Sequence, residues 1–173
     1  MILLEDSRNK IDKHDLKHKY FEEHGIEVRR TKLYVGDYTL PTNQSVCIDT
    51  KADLQECVLD ICGAEHARFR AECIRAKEAG IRLIILVEED QTDKNGQYVV
   101  NHLADVHKWH NPRLDIKEKR DGVWHQKYPR ATTGMTLKKA MITMVYRYGI
   151  TFEFCRKKDA GRKILELLGV DYE

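Results

Sequence analysis

Apolar and polar positions along the chain alternate, cluster or recur with a helical period, and each regime predicts an element. Residues 2–4, Ile-Leu-Leu, run into Glu5-Asp6 and read as a buried first strand with acids at its carboxyl end, where sites of open α/β sheets collect. Residues 11–24 read as a helix with Leu16, Tyr20 and Phe21 inward, His14 and His18 on a solvated face, and Gly25 as the stop. From 26 to 34 the residues alternate again, and Arg29, Arg30 and Lys32 make the outer side basic, as suits an exposed edge strand. A Tyr-Thr-Leu stretch at 38–40 and an alternating stretch at 45–50 flank Pro41-Thr42-Asn43-Gln44, a hairpin turn.

Further on, Asp53 caps a helix whose stripe is Leu54, Val58 and Ile61, ending at Gly63. A longer helix over 64–79 turns Phe69, Cys73 and Ala76 inward, while Glu65, Arg68, Glu72 and Arg75 form ion pairs three and four apart on a solvated face. The apolar run 81–87 is a central strand covered on both faces, parallel to its predecessor through the helical crossover. Periodicity then lapses over 89–134, a stretch of turns at 93–96, 111–112 and 121–122 with a short helix at 101–109. It returns with a helix carrying Leu137, Met141, Met144, Val145 and Tyr148, a strand at 150–155, and a last helix with Ala160, Ile164, Leu167 and Leu168 inward. The expectation is one α/β domain over residues 1–173, a mixed central sheet flanked by helices, with an insertion at about 89–134.

Composition narrows this further. At 42% hydrophobic residues, the 173-residue chain can bury a proper core. No apolar stretch approaches the roughly 20 residues of a membrane span, and residues 1–4 are too short for a signal peptide, so a soluble, cytoplasmic protein with no membrane partner is expected. The five cysteines show no C-x-x-C spacing, which fits free thiols in a reducing compartment. A net charge of +2 conceals an asymmetry, because residues 108–139 hold nine Lys/Arg against three Asp/Glu, a local 9 − 3 = +6, together with Trp109, Trp124 and Tyr128.

The candidate chemistry lies at the hairpin. Asp37 falls beside Asp49 across the strand pair, and Asp49 and Lys51 share a face while Thr50 turns away. Two carboxylates holding a divalent ion next to a lysine suit metal-assisted phosphodiester hydrolysis. Magnesium is the expected ion, with manganese able to substitute, because hard oxygen ligands and retained waters suit it. A surface salt pair on an edge strand would account for the same acid-x-lysine spacing.

Gly36-Asp37-Tyr38, the acid-x-lysine at 49–51 and the earlier Asp6-Ser7-Arg8 resemble, in order and spacing, the nuclease domain of the XPF-type endonucleases, a branch of the restriction-endonuclease-like superfamily. That family shows Asp-x-Arg-Glu, Gly-Asp-Tyr and Glu-Arg-Lys. Here Asn9 replaces the first glutamate, Asp49 the second, and Thr50 the arginine, which removes an acid and a phosphate contact. The resemblance continues through Arg68-Phe69-Arg70-Ala71-Glu72 and resumes from about 134; the family's helix-hairpin-helix domain has no counterpart.

The resemblance implies a magnesium-dependent, structure-specific DNA endonuclease of DNA repair or recombination, cutting branched or flapped DNA. Asp37 and Asp49, with the Thr50 carbonyl, would bind the metal, Lys51 would position the attacking water, and Asp6 and Arg8 would line the same cleft. Arg113, Lys117, Lys119, Arg120, Lys127 and Arg130 would contact DNA, although a solvated loop pinned to the core by its tryptophans is the competing account. A homodimer or a helix-hairpin-helix partner would supply further grip, and a bacterial or phage setting follows by analogy. The rival expectation is a non-catalytic nucleic-acid-binding module with a degenerate nuclease site.

Overall fold

The computed structural model describes residues 1–170. In chain order these form β1 (Ile2–Asp6), a 3-10 turn (Ile11–His14) leading into α1 (Asp15–Glu23), β2 (Glu27–Thr31), β3 (Tyr38–Leu40), β4 (Asn43–Lys51), α2 (Leu54–Cys62), α3 (His66–Glu78), β5 (Arg82–Glu88), β6 (Lys117–Arg120), β7 (Val123–Gln126), α4 (Gly134–Tyr148), β8 (Thr151–Cys155) and α5 (Ala160–Leu167). Six strands make one mixed sheet in the order β2-β1-β3-β4-β5-β8. The β3–β4 hairpin is antiparallel, and β5 lies parallel to both β4 and β8, as the crossovers require. Among the described residues no helix is long and apolar enough to cross a membrane.

Strand alternation divides the core between the two faces of the sheet. Cys47, Leu83, Ile85, Val87 and Phe152 pack with α2, α3 and α4 through Leu54, Phe69, Cys73, Leu137 and Met141. Leu3, Tyr38, Ile48, Ile84 and Leu86 pack on the other face against Phe21 and the α5 residues Ile164 and Leu165. The cysteines are free, and burial pushes the Cys73 and Cys155 thiols up to about 12, which suits these two as packing groups.

Two expectations about local structure need correction. The first helix begins as a 3-10 turn, which rotates its register so that His14, Lys17 and Phe21 face inward while Leu16 is 59% exposed. His14 is therefore buried rather than solvated, and its Nδ1 is bonded to the Tyr38 hydroxyl. The second correction lies in 89–134, where β6 and β7 form a two-stranded ribbon. Its tip is Asp121-Gly122, both at positive φ (49° and 83°), the backbone that a tight hairpin with the strands' twist demands. The short helix expected at 101–109 is a 3-10 helix, Leu103–Lys108.

Candidate active site

Gly36 and Asp37 are placed by a close backbone approach. Gly36 has φ +71°, and a Cβ there would lie 2.9 Å from the Ile48 carbonyl oxygen, so any side chain would push the β3 entry off β4. Its amide donates to Glu72 Oε1 of α3 at 2.8 Å. The next residue is pinned on both sides: the Asp37 amide donates to the Ile48 carbonyl at 2.7 Å, and its carbonyl accepts from the Asp6 amide at 2.8 Å. The register that pairs Tyr38 with Ile48 thus carries Asp37 opposite Asp49. Thr50, expected to turn away, instead reaches Asp37: its amide and hydroxyl both donate to Asp37 Oδ2, at 2.8 and 2.6 Å.

Asp49 and Lys51 project from the end of β4 toward α2 and α3, and both are buried. Lys51 Nζ lies 2.8 Å from Asp49 Oδ2 and 2.7 Å from Asp60 Oδ2 of α2, and 5.0 Å from the centroid of the Phe69 ring. These are ion pairs without hydrogen-bond alignment, and both carboxylate oxygens are buried with no hydrogen-bond partner among the described residues. Burial pushes the Asp49 carboxyl well above the usual range; Lys51 works against this, and the nearby Asp37 and Glu72 charges add to it. For Lys51 burial works downward, yet Asp49 and Asp60 together carry the ammonium well above its ordinary value. The Lys51 ammonium therefore sits between Asp49 and Asp60, while Arg68 also approaches Asp60 and the Arg8 charge faces Asp37 and Glu72.

Asp37, Asp49, Thr50 and Lys51 border a cleft of about 170 Å³, completed by Asn9, Lys13, His14 and Lys17 from the β1–α1 segment, Ala52 and Glu56 near the start of α2, Arg68 of α3 and Glu88 of β5. The ERCC4 domain family profile matches residues 6–167, nearly the whole chain. The chain belongs to the ERCC4 domain family. Its fold is similar to XPF from Aeropyrum pernix, with a TM-score of 0.57 at 17% identity over 97% of this chain, and to the same protein in complex with DNA, at 0.58, 16% and 97%. The ERCC4 domain described here spans 63% of those XPF chains. No curated protein sequence matches the chain.

Within this ERCC4 fold, the motif residues do not all converge. Asp6 and Arg8 are absent from the cleft lining. Arg8 is clasped to Asp6, donating from Nε to Oδ2 at 2.8 Å, and bonds the Leu33 carbonyl at 3.0 Å, although its charge still faces Asp37 and Glu72. Asn9 is the member of that segment that enters the cleft, and its Nδ2 is buried without a partner among the described residues. Sequence reasoning missed Asp60, Lys17 and Glu88, and placed Arg68 and Glu72 on a solvated face. The i,i+3 pairing of Arg68 with Glu65 does form, at 2.9 Å, but Arg68 also comes within 3.5 Å of Asp60. Lys17 and Glu88, 71 residues apart, form a buried ion pair in the cleft wall. Behind it, Glu5 is fully buried, bonded to His18, with Arg30 Nε 3.2 Å away.

The basic stretch splits into two groups. Lys117, Lys119 and Arg120 lie on the exposed β6 strand, with Trp124 opposite Lys119 on β7 and 65% exposed. Arg113, Lys127 and Arg130 instead line a groove against α2. The two tryptophans differ, since Trp109 is buried in the core and pins the segment as the loop account expects, while Trp124 is free to meet a partner. Among the described residues no group of three His, Cys, Asp or Glu side chains is arranged to hold a metal, and His102, His107 and His110 form no such site.

Proposed function

We propose that this ERCC4 domain is a metal-dependent DNA endonuclease that hydrolyses phosphodiester bonds in its cleft, with branched or flapped DNA as the substrate class. The observation that carries this reading is the Lys51 ammonium, buried between Asp49 and Asp60 and beside Asp37 at the end of β4. A purely structural role would leave such charges costly, because buried ion pairs seldom repay their desolvation. DNA as the ligand is supported by the solved complex of XPF from Aeropyrum pernix.

The donor set fits magnesium, which uses one or two carboxylates and keeps several waters rather than demanding an all-protein cage. Asp37 and Asp49, with the Thr50 carbonyl, would hold it, and manganese would substitute. When bound, such an ion supplies Lewis-acid polarisation of the phosphoryl oxygen and a more acidic water. The chain's own residues do the rest. Thr50 fixes the Asp37 carboxylate through two hydrogen bonds. Lys51, held protonated, cannot serve as a base; it orients the attacking water by charge and steadies the negative charge that develops on phosphate. Asp60 and Phe69 hold Lys51 in place. Lys13 and Arg68, whose side chains are largely exposed at the cleft rim, attract the phosphate backbone. The Asp6 amide braces the Asp37 carbonyl, and Arg8 ties the Asp6 carboxylate to the Leu33 carbonyl. The chain acts as one nuclease unit with 89–134 as an insertion, and a second copy or a helix-hairpin-helix partner supplies additional grip.

A second reading is favoured by a specific observation. No three-ligand metal group is present among the described residues, burial favours the neutral Asp49 carboxyl, and Asn9 and Thr50 replace family residues. On that reading the domain binds nucleic acid without cutting it. Cleavage of flapped and branched DNA with and without magnesium or manganese separates the two. Metal-dependent cleavage lost in Asp37→Asn supports the nuclease; tight DNA binding with no cleavage under either metal establishes the binding module.

A further inference from the structure

The groove between α2 and residues 111–132 has a volume of about 440 Å³, within the roughly 300–1,000 Å³ of small-ligand pockets. Its lining carries Arg113, Lys127 and Arg130 and no acidic side chain, a charge balance that favours an anionic occupant. The half-exposed Tyr128 ring stands in the wall, with the Arg113 guanidinium and the Lys127 ammonium each 5.5 Å from its centroid. On the opposite wall Gln55 presents an amide whose Nε2 and Oε1 are both buried with no hydrogen-bond partner among the described residues. A π face, several phosphate-seeking cations and a vacant donor–acceptor pair match the three parts of one nucleotide: base face, phosphate and base edge.

The groove also lies on the helix that borders the cleft. Glu56 lines the cleft, and Gln55, Leu59 and Cys62 line the groove. From Glu56 to Cys62 an α-helix advances roughly 9 Å. That is about two to three nucleotides at the 3.4 Å per-strand step of duplex DNA. An unpaired nucleotide two to three steps from a phosphate in the cleft would reach the groove without leaving the protein surface.

We propose that this groove is a single-nucleotide pocket that captures the unpaired strand of a flap or tail: Tyr128 stacks on the base, Gln55 meets its edge, and Arg113, Lys127 and Arg130 hold the flanking phosphates. The inference rests on the DNA-directed reading of the cleft and adds what selects branched over fully paired DNA. The test measures equilibrium binding without divalent metal, using a fully paired duplex and the same duplex with an oligothymidine tail. Tyr128→Ala lowers the tailed-to-paired affinity ratio roughly tenfold, the scale of one lost base stack, and Tyr128→Phe restores it. Leu59→Glu, which puts a negative charge on the exposed groove wall, lowers the same ratio by an independent route. A wild-type ratio in both Tyr128→Ala and Leu59→Glu overturns the proposal. So does displacement of the tail by oligoglutamate as readily as by oligothymidine, which would mark an anion-binding patch for acidic peptides. Because no cleavage is involved, failure of the nuclease reading leaves the ratio intact, and loss of the ratio leaves metal-dependent cleavage to be judged separately.

Discussion

The cleft and the β6–β7 ribbon both concentrate charge, yet they do so under opposite physical conditions. In and beside the cleft, Lys17, Asp49, Lys51, Asp60 and Glu88 are all buried, and each carries a partner of opposite sign from another element or from the same strand end. On the ribbon, Lys117, Lys119 and Arg120 are exposed, and Arg120 pairs with Glu118, two residues away on the same strand. Buried charges interact strongly and cannot be removed one at a time without stranding a partner. Exposed charges are screened and act additively on a distant phosphate lattice. The same residue types are thus specific and fixed in one place, cumulative and salt-dependent in the other.

The largest effects are expected in the cleft. Asp37→Asn should abolish cleavage while leaving the circular dichroism spectrum unchanged, and full activity would end the metal-site assignment. Lys51→Ala should lower turnover on the order of 100-fold or more, far more than it lowers DNA affinity; a defect confined to binding would contradict its role. For stability, Lys17→Met should leave Glu88 buried without its counter-charge and cost about 3–5 kcal/mol in denaturant unfolding. Adding Glu88→Leu to that variant should recover much of the loss; if it does not, the pair is not the cause.

On the ribbon, replacing Lys117, Lys119 and Arg120 together by alanine should flatten the slope of log affinity against log salt by about one unit per lost phosphate contact. An unchanged slope would move the DNA path off the ribbon and erase the contrast with the cleft. The smallest effect concerns His14. Burial foremost, with the charge of Lys17, lowers its pKa below the ordinary imidazole value of 6.5. The unfolded chain then takes up the proton first, so stability present above that value should fall as pH drops from there toward the depressed folded-state value. His14→Gln should remove this part of the pH dependence, measured as the midpoint of urea unfolding across that window.

Where the sequence was legible, a local rule coincided with the tertiary demand. Phe69, Cys73 and Ala76 repeat at helical spacing and are all buried; Asp53 caps α2 by accepting from the Glu56 amide at 2.8 Å; Gly36 marks a turn that only glycine fits. The Gly36-Asp37 and Asp49-x-Lys51 pieces were recognisable because the hairpin that joins them is short. The ribbon was missed because Lys-Glu-Lys-Arg and Val-Trp-His-Gln have no buried face to impose alternation, leaving Asp121-Gly122 as the sole signal.

Periodicity and turn chemistry, both properties of a few neighbouring residues, determined by themselves the mixed sheet, its covering helices and the pairing of Asp37 with Asp49. The tertiary structure alone decided which polar side chains on those helices would be drawn inside. Lys17, Asp60 and Glu72 sit in patterns that are indistinguishable from a solvated face, and only the approach of Glu88, Lys51 and the Gly36 amide from other elements draws them in around the cleft. A charge leaves water only where a distant counter-charge or hydrogen-bond partner meets it, and local sequence spacing carries no record of that meeting.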